Sequence, residues 1–448
     1  MRSHQVAVET ITALVAATVA GLALTLPIDF GWTSETSAMQ RDLLAYTLPR
    51  AVAAGALIAM IAAVLITTLG SPVAAWATTL GGLLVLLANH VFGHAGDPNS
   101  SLSTMNFTDS LAGGLILGAL GAAVLHRRLP AFGWTLGILI SLLLGSVNPV
   151  LQTGGGIDQT RSDHWHAGEI PPIWMLVLAL ILVGFGFLTH RKLEVQQRLS
   201  AELPLAPILA GVVLVLVTLA SAEWLARHGD SHAGIGLAVA TAVGTAIVAA
   251  MLLPGRDGEI VLLAVGLGAV GAATVAAEMP AWSIPVLAAA AAVGMWVGSR
   301  LGGPTVSLAA GMALGVFTAF TADSTRAWLI VGSAAFVSWL IGFALLSTRP
   351  RYVPSRVLGT LVLFVPSAVL GMRDYVSRGH YATQSAGNAL MCAVSSTSTA
   401  APGWTSMLVA GGCLAGIYLL RRSRPRTPAA TDTTPDSPES PNGAATSG

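Results

Sequence analysis

Charge is what this sequence has least of. Only 10% of its 448 residues are Asp, Glu, Lys or Arg, against roughly 25% in soluble domains, which excludes a soluble fold of this length. A net charge of +1 excludes the basic surface that a nucleic-acid partner requires. Lysine is nearly absent: Lys192 stands beside 21 arginines, and with so much Ala and Gly this is the composition expected of a GC-rich bacterial genome. Two cysteines, Cys392 and Cys413, make no disulfide framework; Cys413, inside an apolar run, reads as a small packing residue. The alternating segments of a lipid-facing β-barrel are missing. So are a nucleophile elbow and a zinc-protease motif, and Gly154-Gly155-Gly156 lacks the strand and helix of a phosphate loop. No cofactor is implied, and an enzyme is not the first reading.

What the chain does have is apolar runs of about 20 residues, the length a helix needs to cross a hydrocarbon core of roughly 30 Å. Fourteen can be placed, near 7–26, 51–69, 72–91, 107–125, 132–151, 171–189, 204–224, 233–253, 259–277, 282–299, 304–322, 326–346, 356–372 and 403–420. Backbone polar groups in lipid must be satisfied internally. The expected class is therefore an all-α polytopic membrane protein with about 14 transmembrane helices, its first run read as helix one rather than a signal peptide. Arginine clusters at 126–128, 190–198, 255–259, Arg300, 348–356 and 421–426 fall on one side of this count. The positive-inside rule then puts both termini in the cytoplasm of a plasma membrane. The Pro-, Thr- and Ser-rich tail, 423–448, is expected to be disordered.

The chain also repeats itself. Leu69-Gly70-Ser71-Pro72-Val73 aligns with Leu301-Gly302-Gly303-Pro304-Thr305-Val306, each between the second and third run of a six-run block. The blocks divide the chain into an N-terminal six-helix bundle (1–198), an inserted helix pair (199–258), a C-terminal six-helix bundle (259–422) and the tail. Repeats of this kind mark secondary transporters whose halves rock about a central site. With these loops, the stretch from Leu24 to Val52 carrying Tyr46 and Leu48, and the Gly/Ala-rich 113–124, the sequence resembles the fourteen-helix drug:proton antiporter branch of the major facilitator superfamily. That resemblance implies two six-helix bundles, a small-molecule substrate and coupling to protons. It makes Arg300, Gly302, Gly303 and Gly70 gating-loop candidates. The sequence departs from the family pattern in three places: the first-half loop is uncharged; Asp109 stands where an arginine opens helix four; and the fifth-helix glycine-proline signature survives only as Gly137, Gly145 and Pro149.

An ionisable group inside a span is costly and so a functional candidate. Asp109, read as one turn into span four, is either a proton or cation site or an N-terminal acid satisfied by the helix end. Asn148-Pro149 within span five can line a kink, and Tyr46 completes the transport candidates. Glu223 and Arg227, four apart, read as an ion pair at the membrane edge. His90 and His94, His164 and His166, and His228 and His232 are weak metal candidates, solvated loop histidines being the plainer reading. Trp134, Trp174, Trp224, Trp282, Trp328 and Trp404, near span ends, read as interfacial anchors. The leading function is an alternating-access exporter of amphipathic small molecules, whose partners are the lipid bilayer, that substrate and protons. The alternatives are a non-transporting membrane scaffold, or a lipid-linked glycosyltransferase using Asp29, Glu35, Asp163 and Glu169.

Overall fold

A computed structural model describes residues 2–25, 38–93, 102–152, 171–191, 205–229, 231–275, 279–280, 282–322, 324, 326–348, 350–373 and 399–424; the side chains of 2–3, 38–46, 102–103 and 146–152 are outside the description. The helices are α1 Arg2–Thr25, α2 Ala38–Leu69, α3 Pro72–Gly93, α4 Leu102–Val124, α5 Arg128–Gln152, α6 Ile173–Arg191 and α7 Leu205–His228. They continue as α8 His232–Leu252, α9 Glu259–Thr274, α10 Ser283–Arg300, α11 Pro304–Thr321, α12 Ala327–Ser347, α13 Val353–Leu361 and α14 Ala401–Ser423. Among the described residues there is no strand.

Twelve of these helices are long and apolar enough to cross a membrane, so the expected fourteen full spans are not all realised. The two exceptions are instructive. α9 has 16 residues, about 24 Å at 1.5 Å per residue, short of a hydrocarbon core of roughly 30 Å. It is buried along most of its length, a post inside the protein rather than a lipid-facing span. The run expected at 356–372 is interrupted. Val362 N–H still reaches back four residues to Leu358, but Leu363, Phe364 and Val365 reach back only three, to Thr360, Leu361 and Val362. The winding has tightened to a 3₁₀ turn. Pro366 then ends it, since it has no N–H to continue the ladder. A second helical stretch, 368–373, opens with the Leu370 N–H donating to Ser367 Oγ at 3.3 Å, an N-cap.

In lipid, apolar side chains gain little by leaving one hydrocarbon for another, so helices associate where small residues let backbones touch. That is how this chain packs. A Cβ on Gly114 would lie 2.0 Å from the Gly55 carbonyl oxygen and one on Gly118 2.1 Å from that of Ala59, seating α4 on α2. The same device recurs between α10 and α12, where Cβ atoms on Gly294 and Gly298 would lie 2.1 Å and 2.2 Å from the Trp339 and Phe343 oxygens.

The packing pairs themselves recur. α2 packs on α4, α3 on α4 and on α6, and α1 on α4, α5 and α6; likewise α10 packs on α12, α11 on α12 and on α14, and α9 on α12, α13 and α14. α7 and α8 pack on each other, α7 also on α2, and α8 also on α9 and α14. Contacts of α5 with α10, and of α13 with α2 and α4, join the two sets.

Two sequence expectations change here. Trp134 is fully buried rather than interfacial, while Trp174, Trp224, Trp282, Trp328 and Trp404 are exposed as anchors would be. Glu223 pairs with Arg50 of α2, at 3.1 Å and 3.2 Å, rather than with Arg227. A long arginine reaching from a neighbouring helix makes a bidentate fork, which helical spacing alone cannot anticipate. Gly118→Val is expected to destabilise the protein by more than about 2 kcal/mol, because the crossing has no room for a side chain. Thermal unfolding in detergent, compared with Gly81→Val, whose added carbon meets open space, checks it.

Candidate functional site

The interrupted helix borders a cavity of about 400 Å³ lined from the end of α1, from α5, α7, α9, α10 and α12, and from the break itself. Its walls are mainly apolar, with Leu139, Leu142 and Leu143 on one side and Val265, Gly268, Gly271, Val337 and Ile341 on another. Thr25, Thr218, Ser338 and Ser367 contribute hydroxyls. Three of these spend their protons on their own helices: Thr25 donates to Gly21 O at 2.9 Å, Thr218 to Leu214 O at 2.7 Å and Ser338 to Ala334 O at 2.8 Å. They therefore face the cavity as acceptors. The one charged side chain among the described lining residues is Arg373. Its Nη1 donates to the carbonyls of Ala272, at 3.1 Å, and Val275, at 2.5 Å, where α9 ends and its last carbonyls lack helical partners.

The two sets of helices also meet at the arginine-rich end, through α13 and the turn before it. Arg356 Nη1 donates to the Leu125 carbonyl at the end of α4, at 2.9 Å. The Tyr352 hydroxyl bonds to Thr67 of α2, and burial raises its pKa above the ordinary phenol value of 10.0, so it stays protonated. Asp257 accepts from the N–H groups of Arg351 at 3.2 Å and Tyr352 at 2.8 Å, fixing the start of α13.

Ion pairs brace each set of helices at that same end. In the first, Glu9 of α1 takes the Arg127 guanidinium at 2.6 Å and faces His190 Nε2 of α6 at 3.6 Å. In the second, Glu259 of α9 takes Arg421 of α14 in a bidentate pair, both contacts 2.9 Å. Each acid sits near the start of its block's first helix, and each pairs with a base near the end of the sixth. Sequence inspection passed over all of these. Glu9 was legible as the only carboxylate within the first apolar run, but its partners lie more than a hundred residues away.

The predicted residues are distributed as follows. Asp109 is fully buried, two turns into α4 rather than one, because that helix begins at Leu102. The helix-end reading is thereby removed. Its Oδ1 accepts from Asn89 Nδ2 of α3 at 2.7 Å, with Asn106 and His90 also buried, and it is not among the cavity-lining residues. Gly70 (φ 62°) and Gly303 (φ 156°) occupy the positive-φ region, and Pro72 and Pro304 follow as the first helical residues. Gly302 and Gly303 border a second cavity, about 720 Å³, with Arg256, Asp257, Glu259 and Arg421. Arg300 lies over the Trp296 ring, 4.4 Å from its centroid. His228 stacks on Trp224 with centroids 4.1 Å apart and His232 is exposed. Among the described residues, no group of three or more His, Cys, Asp or Glu could hold a metal. The side chains of Tyr46, Asn148 and Pro149, and residues His94, His164, His166, Asp29, Glu35, Asp163, Glu169 and the tail from 425, lie outside the described residues.

No protein-family profile and no curated protein sequence matches the chain. Its architecture is nevertheless shared with solved transporters. An auto-inhibited POT family peptide transporter superposes with a TM-score of 0.50 at 14% identity, over 95% of this chain and 98% of that one. The Major Facilitator Superfamily transporter FucP in the outward conformation gives 0.45 at 13% identity, over 94% and 99%. The proton:xylose symporter XylE gives 0.47 at 12%, over 95% and 97%. At these identities the likeness is one of fold alone: an all-helical architecture with many membrane-crossing helices, shared with the peptide transporter over nearly the whole length of both chains.

Two predictions follow from the ion pairs and the joint between the halves. Glu259→Gln is expected to cost about 2 kcal/mol, since it strands a half-buried guanidinium, whereas Glu223→Gln, in an exposed pair, costs less than about 0.5 kcal/mol. Melting temperatures of the two variants should rank accordingly. Arg356→Ala is expected to populate a state opened at the arginine-rich end. Spin labels on Arg128→Cys and Arg351→Cys would report it as a longer distance component that the unsubstituted protein lacks.

Proposed function

We propose that this protein is a secondary transporter that carries amphipathic small molecules by alternating access, with the 400 Å³ cavity as its substrate site. The observation that carries the reading is the position of that cavity. It lies at an interrupted helix, where two sets of helices with matching packing pairs meet. Secondary transporters bind at such places, between structural repeats and beside broken helices. In this reading 1–198 and 259–422 are the moving halves, and 199–258 is the inserted pair. The closure through Arg356 and Tyr352 is the gate at the cytoplasmic side. The arginine-rich end faces the cytoplasm of a plasma membrane, with both termini there.

Resemblance to the drug:proton antiporter branch supports export and proton coupling. Asp109 is the coupling candidate: a carboxyl withdrawn from water inside a span, accepting from Asn89 through Oδ1, is a costly group for a membrane helix to carry without a function. Gly302, Gly303 and Gly70 then serve as turns that keep their loops short while the halves rock.

Purified protein in proteoliposomes provides the test. Exchange of membrane-impermeant naphthyl compounds of either charge should be detectable and should be abolished by Gly271→Phe, which fills the cavity from a position where a Cβ would meet Ile341 Cδ1 at an ordinary van der Waals distance of 3.8 Å. Asp109→Asn should retain exchange but lose accumulation driven by an imposed proton gradient. Exchange that survives Gly271→Phe, or folded wild-type protein that exchanges none of the compounds, would overturn the reading.

A further inference from the structure

At the arginine-rich end each set of helices is braced by an acid on its first helix, but the bases that meet those acids differ in kind. Glu259 of α9 is paired with Arg421 of α14 through both oxygens, and a guanidinium keeps its proton at every physiological pH. On α6 the base is His190, whose Nε2 lies 3.6 Å from Glu9 Oε1, both side chains being buried. Its tautomer is fixed by the backbone. Nδ1 stands 2.8 Å from the Gly186 carbonyl, which can only accept, so Nδ1 carries a hydrogen. Thr189 Oγ1, 3.4 Å from the same nitrogen, already donates to Gly186 O at 2.8 Å and supplies no proton in its place. A neutral imidazole would then present the bare lone pair of Nε2 to a carboxylate oxygen, and two acceptors repel. The contact is attractive only when Nε2 carries a proton as well.

The surroundings suit a proton that comes and goes. Glu9 does not depend on it: Arg127 Nη1 donates to Oε2 at 2.6 Å and Gln5 Nε2 to Oε1 at 3.2 Å, so the carboxylate keeps its partners when the imidazole is neutral. α6 packs on α3 and α1. From α3 the indole of Trp76 stacks on the ring, centroids 5.3 Å apart, a setting that favours a cation. The charged and titratable groups that face His190 are Glu9 on α1 and, from the turn after α4, Arg127 and His126. His126 is held below the ordinary histidine value, by desolvation first and then by the Arg127 charge, with Glu9 acting the other way. We propose that Glu9 and His190 form a proton-binding site that ties α6 to α1. With the proton on Nε2 the end of α6 is held; without it the tie lapses and that end moves off α1, while the Glu259–Arg421 brace stays shut. Asp109 lies toward the opposite end of α4 from Arg127, and neither Glu9 nor His190 lines the 400 Å³ cavity. The site therefore stands whatever that cavity carries.

The test follows the full chain in lipid nanodiscs from about pH 5 to about pH 9, which brackets the range over which histidine exchanges its proton. In nitrogen NMR spectra of isotope-labelled histidine, the signal that disappears in His190→Gln should show Nδ1 protonated throughout. Its Nε2 should pass from protonated to bare as the pH rises. Nitroxides on Ile11→Cys and Leu188→Cys, both exposed positions, should gain a longer-distance component over the same rise. That response should be lost in His190→Gln and in Glu9→Gln. It should also be lost in His190→Arg, which copies the permanent base of the second set and keeps the two helices close at every pH. His126→Gln should leave the wild-type response intact. A bare Nδ1 in wild type, an Nε2 that never changes, or a separation indifferent to pH would overturn the assignment. So would a response that survives His190→Gln, or one that His126→Gln removes. The wild-type spectra decide the protonation claim even where a variant fails to fold, and no readout requires a transported compound.

Discussion

Backbone-to-backbone contact through glycine and alanine is the constraint on which the rest of this structure depends. Where α4 crosses α2 and α12 crosses α10, carbonyl oxygens occupy the space a side chain would need. Membrane helices have no hydrophobic contrast to sort them, so shape has to do it. These crossings draw the helices of each half close at fixed registers, and dispersion between well-fitted surfaces then favours one arrangement over its neighbours. The equivalence of the two crossings, one in each block, also explains why the two sets of packing pairs agree.

Close helix crossings within each set leave irregularity to the places between the two sets. The interrupted segment after α13 is such a place, tightened to three-residue hydrogen bonds before Pro366 and restarted on Ser367. Irregular backbone at membrane depth is tolerated only where protein or a cavity surrounds it, and here it forms part of the cavity wall. Charges are placed with the same economy. Glu9 is buried beside Arg127 and His190, and Glu259 beside Arg421, and Arg373 is seated on carbonyls that need a donor.

Much of the architecture was legible in the sequence, because apolar length and the scarcity of charge are properties of single segments. The turns of the two aligned loops were legible in part: Pro72 and Pro304 both take first-turn positions, while the positive φ falls at Gly70 in one loop and one position later, at Gly303, in the other. The site was not. Arg373 reads in the sequence as an ordinary loop arginine after an apolar run; only the break at Pro366 and the end of α9 bring it to the cavity. Glu223 was assigned the nearest base by helical spacing and took Arg50, 173 residues away. Asp109 drew attention as an acid inside a span and is buried, but its place beside Asn89 depends on where α4 begins, and that boundary lies seven residues upstream of it, at Leu102.

The inserted pair bears on how far any rocking can go. α8 is seated tightly on α14, where Cβ atoms on Gly412 and Gly416 would come within 2.7 Å of Val243 and 2.9 Å of Ile247. α7 is bound to α8, with Ser221 and Thr241 hydroxyls 3.1 Å apart. At the seam of α7 with α2 a Cβ on Gly211 would lie 3.2 Å from Met60, also a close fit, but the Arg50–Glu223 bridge across it is exposed. Such a bridge is cheap to break and cheap to remake. In the transport reading α7 and α8 would therefore travel with α14, and the exposed Arg50–Glu223 bridge would be the contact with α2 that is made and broken as they do.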